Sequence, residues 1–209
     1  MLRTISCGLL SSNVYVVWNE ASLDCMIVDC GADVKYPLSV VEELGLNVKY
    51  VVLTHGHFDH VDFLEDYVST FKNAIFACHV AEKAVLEDVE ANLSFWGSHP
   101  RKYEADFLYL NEGDTLSLGK EGEECMIFKV IHTPGHTPGS MCLLCERDKI
   151  MLTGDTIFQN SYGRTDFKHG SSAQLVDSLK RILSMDWDIT LYSGHYGSTT
   201  IGDEVAFYS

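Results

Sequence analysis

Four side chains able to bind a metal fall within six residues of Thr54-His55-Gly56-His57-Phe58-Asp59-His60. Imidazole nitrogens and carboxylate oxygens are ordinary ligands of zinc and of harder divalent ions. A single histidine is normally a core or surface residue. Three of them with an aspartate, directly after the apolar run Tyr50-Val51-Val52-Leu53, indicate a metal site delivered by the end of a strand.

Three later segments repeat this arrangement, each an apolar run leading into a glycine-rich turn that holds a donor. They are Val130-Ile131-His132-Thr133-Pro134-Gly135-His136, Ile150-Met151-Leu152-Thr153-Gly154-Asp155 and Leu191-Tyr192-Ser193-Gly194-His195. Each alone is an ordinary turn. Asp29, at the end of another apolar run, lacks a clustered partner and reads as an acceptor bracing a loop near the site. His132 reads as a brace for the His136 loop, and His79 as the opening of a helix. His99, His169 and Asp166 join no donor set.

The elements that must position these donors follow from periodicity. Residues 2–6, 13–18 and 24–29 read as strands, with a polar hairpin turn at 19–22. Pro37 to Gly45 reads as a helix with a first-turn proline and a closing glycine. A buried strand over 49–53 leads into the histidine-rich turn, and helical spacing follows over 61–68. After a strand at 74–77 and a helical stretch over 80–89, residues 90–106 show no period. Such a loop is a candidate flap, with Asn92 and Trp96 either lining a substrate entrance or simply packing. Strands resume at 108–110, 116–118, 125–132, 140–145 and 150–153. A helix is expected over 172–183, with Leu175, Val176, Leu179, Ile182 and Leu183 on its apolar face. A strand at 189–192 then leads to His195. Strand-then-helix order occurs twice, which predicts an α/β fold of two halves packed sheet to sheet with helices outside.

Composition narrows the function further. The chain has 209 residues and a formal net charge of −15, with 46% hydrophobic residues. A core of useful size is available without disulfides. The acidic balance disfavours nucleic acid and anionic membrane surfaces as partners. The 7 cysteines are scattered and odd in number, as expected of reduced thiols. Cys142-Leu143-Leu144-Cys145 reads as strand, where residues three apart face opposite ways, so a shared metal or redox role is not expected. No secretory leader or membrane-spanning run is recognisable, and a cytoplasmic location is expected.

The T-H-x-H-x-D-H segment, with Thr153-Gly154-Asp155-Thr156, Gly163-Arg164-Thr165-Asp166, Thr199-Thr200-Ile201-Gly202 and the ordered His136 and His195, resembles the metallo-β-lactamase superfamily. Within it the chain is most similar to short glyoxalase II-like hydrolases, from the first strands to about residue 204. The resemblance implies a four-layer αββα sandwich, two mixed sheets with helices outside, as a single domain over residues 1–209. It also implies two divalent metals, zinc first, with iron or manganese compatible. One would be held by His55, His57 and His136, the other by Asp59, His60 and His195, with Asp155 bridging. Seven ligands exceed what one tetrahedral zinc takes, and a carboxylate has two oxygens with which to bridge.

A water between the metals would be the nucleophile, oriented by Asp59. The implied substrate is a small acyl thioester of the S-lactoylglutathione type, taken by a monomer or homodimer. Arg164 falls where such enzymes place a cation for the glutathione carboxylate, though a salt bridge with Asp166 would occupy it equally well. Full-length glyoxalase II has an extra C-terminal helical region that contacts glutathione. Asp203 to Ser209 cannot supply it, so a weaker or broader thioesterase is expected. Alternatives are a persulfide dioxygenase with a single iron, a lactonase, or a catalytically silent metal-binding protein.

Overall fold

The computed structural model describes residues 1–7, 10–97, 99–119 and 124–208. In chain order the first half runs β1 (Leu2–Cys7), β2 (Ser12–Trp18), β3 (Asp24–Val28), α1 (Lys35–Leu44), β4 (Asn47–Val52), α2 (Phe58–Val61), α3 (Leu64–Thr70), β5 (Ile75–His79), α4 (Lys83–Leu86) and β6 (Phe107–Leu110). The second half runs β7 (Thr115–Leu118), β8 (Met126–His132), β9 (Met141–Cys145), β10 (Ile150–Gly154), β11 (Ile157–Phe158), β12 (Ser161–Tyr162), α5 (Ser172–Leu183), β13 (Thr190–Ser193), β14 (Thr199–Thr200) and α6 (Ile201–Tyr208).

Strands β1 to β6 form one six-stranded sheet in sequence order, antiparallel through β3 and parallel from β3 to β6. The other six-stranded sheet has the order β14-β13-β10-β9-β8-β7, with β10 and β13 its one parallel pair. Both sheets are therefore mixed. The alternation of side chains along each strand explains how they stack. On β2, Val14 and Val16 face a cluster shared with α1, α2 and α3, while Tyr15 and Val17 face the opposite sheet. On β9, Met141, Leu143 and Cys145 face inward between the sheets, while Cys142 and Leu144 pack with Ile182 of α5 and Ile201 of α6. Each sheet is thus covered on both faces, which is why these strands read as unbroken apolar runs. The result is the expected four-layer αββα sandwich. Cys142 and Cys145 do lie on opposite faces of their sheet. No helix among the described residues is long and apolar enough to cross a membrane.

Helix α1 ends as its sequence predicts, with Gly45 in the left-handed region at φ 64° and its N–H on Glu42 O. Three expectations need correction. The helix predicted over 61–68 is two pieces, because His60 O accepts from Cys30 N–H and Phe63 N–H donates to Cys30 O. Those backbone groups join the turn after β3 instead of continuing a helical ladder. The stretch over 80–89 is only a 3-10 turn (Val80–Glu82) followed by the single turn α4. On α5, Val176 lies outside the buried stripe and is 46% exposed, whereas Leu175 and Ile182 are buried.

Candidate metal centre

All the donors singled out in the sequence leave strand ends on one rim of the sandwich. The turn after β4 carries His55 and His57 and runs straight into α2, which carries Asp59 and His60. His136 lies in the β8–β9 turn, Asp155 directly after β10, and His195 directly after β13. Backbone hydrogen bonds lock these turns together: Met141 N–H to Thr54 O and Asn13 N–H to Gly194 O cross between the two sheets, and Gly194 N–H to Gly154 O joins neighbouring strand ends of the second.

Ring orientation is set from behind. Asp29, with φ 66° at the end of β3, accepts Thr54 N–H at 2.7 Å and Thr54 Oγ1 at 2.8 Å. Its Oδ2 also lies 2.8 Å from His60 Nδ1. His136 Nδ1 is 2.7 Å from Arg164 O, and His195 Nδ1 is 3.2 Å from Leu10 O. A carbonyl can only accept, so both rings carry a proton on Nδ1 and turn Nε2 inward. Close backbone approach completes the cradle. A Cβ at Gly194 would collide with Asp155 Oδ1, and one at Gly163 would collide with Asp155 O and sit 3.0 Å from His136 Nδ1.

The inward atoms fall into groups. Donor atoms of His55, His57 and His136 lie within 4.8 Å of one another, and so do those of Asp59, His60 and His195. A third such set, His55, His60 and Asp155, overlaps both. The Asp155 carboxylate sits between the first two groups, with Oδ2 3.5 Å from His136 Nε2 and 3.4 Å from His195 Nε2. Its Oδ1 is 3.3 Å from His60 Nε2.

Whether a metal suits these residues can be judged from the atoms themselves. His55 Nε2, His57 Nε2 and His136 Nε2 are buried without a hydrogen-bond partner, a costly arrangement for groups that something else does not satisfy. Two nitrogens, His60 Nε2 and His195 Nε2, face each other at 3.3 Å. A tetrahedral ion with ligands at about 2.0–2.1 Å separates them by about 3.3 Å. A divalent cation fits.

Electrostatics agree with that fit. Burial holds His55 and His57 well below the usual imidazole range, so they are neutral donors. Burial also works against charge on His195, but the Asp155 and Asp59 carboxylates overcome it and push the ring up to about 9. Burial would raise Asp59 as well, yet the His60 and His195 rings hold it below the ordinary carboxylate range. A dication would compete with protons for the second group and satisfy both carboxylates at once.

Other expectations fare unevenly. His132 braces the His136 loop, with Nε2 2.9 Å from Pro138 O and its ring stacked on His79 at 3.9 Å. His79 caps the 3-10 turn by accepting Ala81 N–H. Asn92 does not line an entrance: it is fully buried and donates to Leu86 O and Arg101 O. Trp96 does approach the centre, its ring 5.3 Å from Phe167, which stands edge-on to His57 at 5.6 Å. The Arg164 guanidinium is paired through two nitrogens with Asp166 at 2.9 and 2.7 Å and lies over the Phe167 ring.

One participant has no sequence signal. Glu82 is fully buried; its Oε1 accepts Gly56 N–H at 2.7 Å and its Oε2 accepts Thr137 Oγ1 at 2.9 Å. Gly139 N–H donates to the same carboxylate. Glu82 thereby joins the loop of His55 and His57 to the loop of His136.

A sandwich of two mixed sheets with a histidine-and-aspartate centre at one rim defines a class, and comparison with known proteins places the chain in it. A family model described as the metallo-beta-lactamase superfamily matches residues 7–195, and the chain belongs to that superfamily. It is 31% identical to the hydroxyacylglutathione hydrolase GloC of Haemophilus influenzae, over 97% of this chain and 94% of that one. Among solved structures it resembles the BLEG-1 B3 metallo-beta-lactamase, with TM-score 0.87, 32% identity, and 99% and 97% of the two chains covered. It also resembles TTHA1623 in a di-iron-bound form, with TM-score 0.85, 28% identity and coverage of 97% and 96%. Membership supports a metal-dependent hydrolase.

Proposed function

We propose that this protein is a dinuclear metal-dependent hydrolase that cleaves acyl thioesters of the S-lactoylglutathione type. The observation that carries the reading is the pair of neighbouring donor groups with the Asp155 carboxylate between them. In this reading His55, His57 and His136 hold one ion, Asp59, His60 and His195 the other, and Asp155 reaches both. Bound divalent ions would supply Lewis acidity, lowering the pKa of water towards neutrality and polarising an acyl carbonyl.

The chain's own groups position the rest. Asp59, with Oδ2 3.3 Å from His195 Nε2, accepts a hydrogen bond from the attacking water and aims its lone pair at the carbonyl carbon. The C–S bond breaks as the C–O bond forms, and the water's proton leaves with the thiol. A cysteine nucleophile is disfavoured: burial pushes the Cys25 and Cys78 thiols up to about 12 and Cys142 up to about 11, so none is a ready thiolate. Zinc is the proposed metal. The relative solved with two irons supports iron as the alternative, and the similarity to the hydroxyacylglutathione hydrolase GloC supports an acylglutathione-type substrate. The protein is proposed to act on small molecules in the cytoplasm, as a monomer or homodimer.

Elemental analysis of natively purified protein, paired with thiol release from S-lactoylglutathione and simpler thioesters, tests this. Bound divalent metal and thiol release are expected, and His57→Ala should lose both one ion and most activity. A metal-loaded sample that releases no thiol, or a fully active His57→Ala, would sink the proposal.

A further inference from the structure

Two rows of aromatic rings start from the two different donor groups of the centre and end on exposed side chains. From His57 the row passes to Phe167 at 5.6 Å, Trp96 at 5.3 Å and Phe95 at 5.4 Å. From His195 it passes to Phe158 at 5.8 Å and on to Tyr196 at 5.8 Å. The outer members are open: Trp96 is 53% exposed, Phe95 45% and Tyr196 72%. Exposed aromatic rings grouped beside a polar centre are the usual means of gripping an apolar ligand.

The two cations that flank Phe167 in the chain, Arg164 and Lys168, already have carboxylate partners. Arg164 is held bidentately by Asp166, and Lys168 contacts both Asp88 at 2.8 Å and Glu90 at 2.9 Å. Drawing either onto a substrate carboxylate would break an existing ion pair in a chain of net charge −15. A glutathione conjugate carries two carboxylates, and this mouth gives them a poor reception.

Resting on the thioesterase reading, we infer that the preferred substrate is a thioester with uncharged, apolar groups on both sides of the scissile bond. Its two flanks lie against the Trp96–Phe167 and Tyr196–Phe158 faces. Specificity then comes from ring contact, and S-lactoylglutathione is a secondary substrate.

The test compares steady-state hydrolysis by the metal-loaded protein of S-phenylacetyl-N-acetylcysteamine, neutral and aromatic, with that of S-lactoylglutathione. A kcat/KM at least about tenfold higher for the neutral compound is expected. Trp96→Ala should raise KM for it about five- to tenfold with a much smaller change in kcat, the mark of lost ground-state binding. Tyr196→Asn should act in the same direction, asparagine being chosen because Tyr196 has φ 66°. Asp166→Asn, which releases the Arg164 guanidinium, should narrow the preference by improving S-lactoylglutathione. Preference for S-lactoylglutathione, or an unchanged KM in Trp96→Ala, overturns this inference and leaves the thioesterase reading standing. No turnover of either compound overturns both.

Discussion

His60 shows how much a single candidate ligand owes to a neighbour outside the donor groups. Its Nδ1 lies 2.8 Å from Asp29 Oδ2, and the same carboxylate holds Thr54 through N–H and hydroxyl. Asp29 therefore fixes both the ring's tautomer and the start of the donor turn. Asp29→Ala is expected to weaken metal binding about 10- to 100-fold, with Asp29→Asn intermediate because an amide can still accept. Competition titration against a chromophoric chelator reads this, and wild-type affinity in Asp29→Ala would refute it. At this scale the sequence was informative for a simple reason. Local density marked the four donors of residues 55–60, while the other three, each following an apolar run, joined them only through the resemblance to a known superfamily. Asp29 was legible as a loop acceptor, but its partner was not, since His60 lies 31 residues away.

Turns and short helices depend on partners that no local pattern announces. The break between α2 and α3 follows from backbone bonds to Cys30, remote in sequence, so the helical spacing over 61–68 did not become one continuous helix. Glu82 sits in what reads as a polar position of a short helix, yet it is the acceptor that couples two donor loops. Glu82→Ala would leave the N–H of Gly56 and of Gly139 buried without an acceptor, each costing about 1–3 kcal/mol. A loss of about 3 kcal/mol in urea unfolding is the expected result.

The pH dependence at Glu82 has a definite sign. Burial raises the carboxyl from 4.5 to about 7, against the pull of its three donors. Between those values the native state keeps a proton that the unfolded chain has released, so the group's contribution falls as pH rises through the window. At 1.36 kcal/mol per unit the wild type should lose up to about 3 kcal/mol relative to Glu82→Gln from below pH 4.5 to above pH 7. Unfolding of both metal-free proteins across that range measures the difference, and parallel curves would refute it.

The whole sandwich was the most legible feature, because two-sided burial writes itself into continuous apolar strands such as β2, β3 and β9. What the strands could not show is how the rim is closed. His55, His57, Asp59 and His60 come from the first sheet, and His136, Asp155 and His195 from the second. Ions held by both sets would therefore act as cross-ties at one end of the molecule, opposing separation of the sheets. Metal that binds only the native state stabilises it by mass action, about 4 kcal/mol when free metal stands at 1,000 times its dissociation constant. For a chain of this size that corresponds to a rise in Tm on the order of 10 °C. Calorimetric scans with and without chelator should show a fall of that order, reversed by adding zinc. Asp155→Ala removes the carboxylate that lies between the two groups, so its Tm should respond far less to chelator. An identical chelator response in wild type and Asp155→Ala would mean that the ions stabilise the fold without the sheet-to-sheet carboxylate, and the cross-tie account would fail.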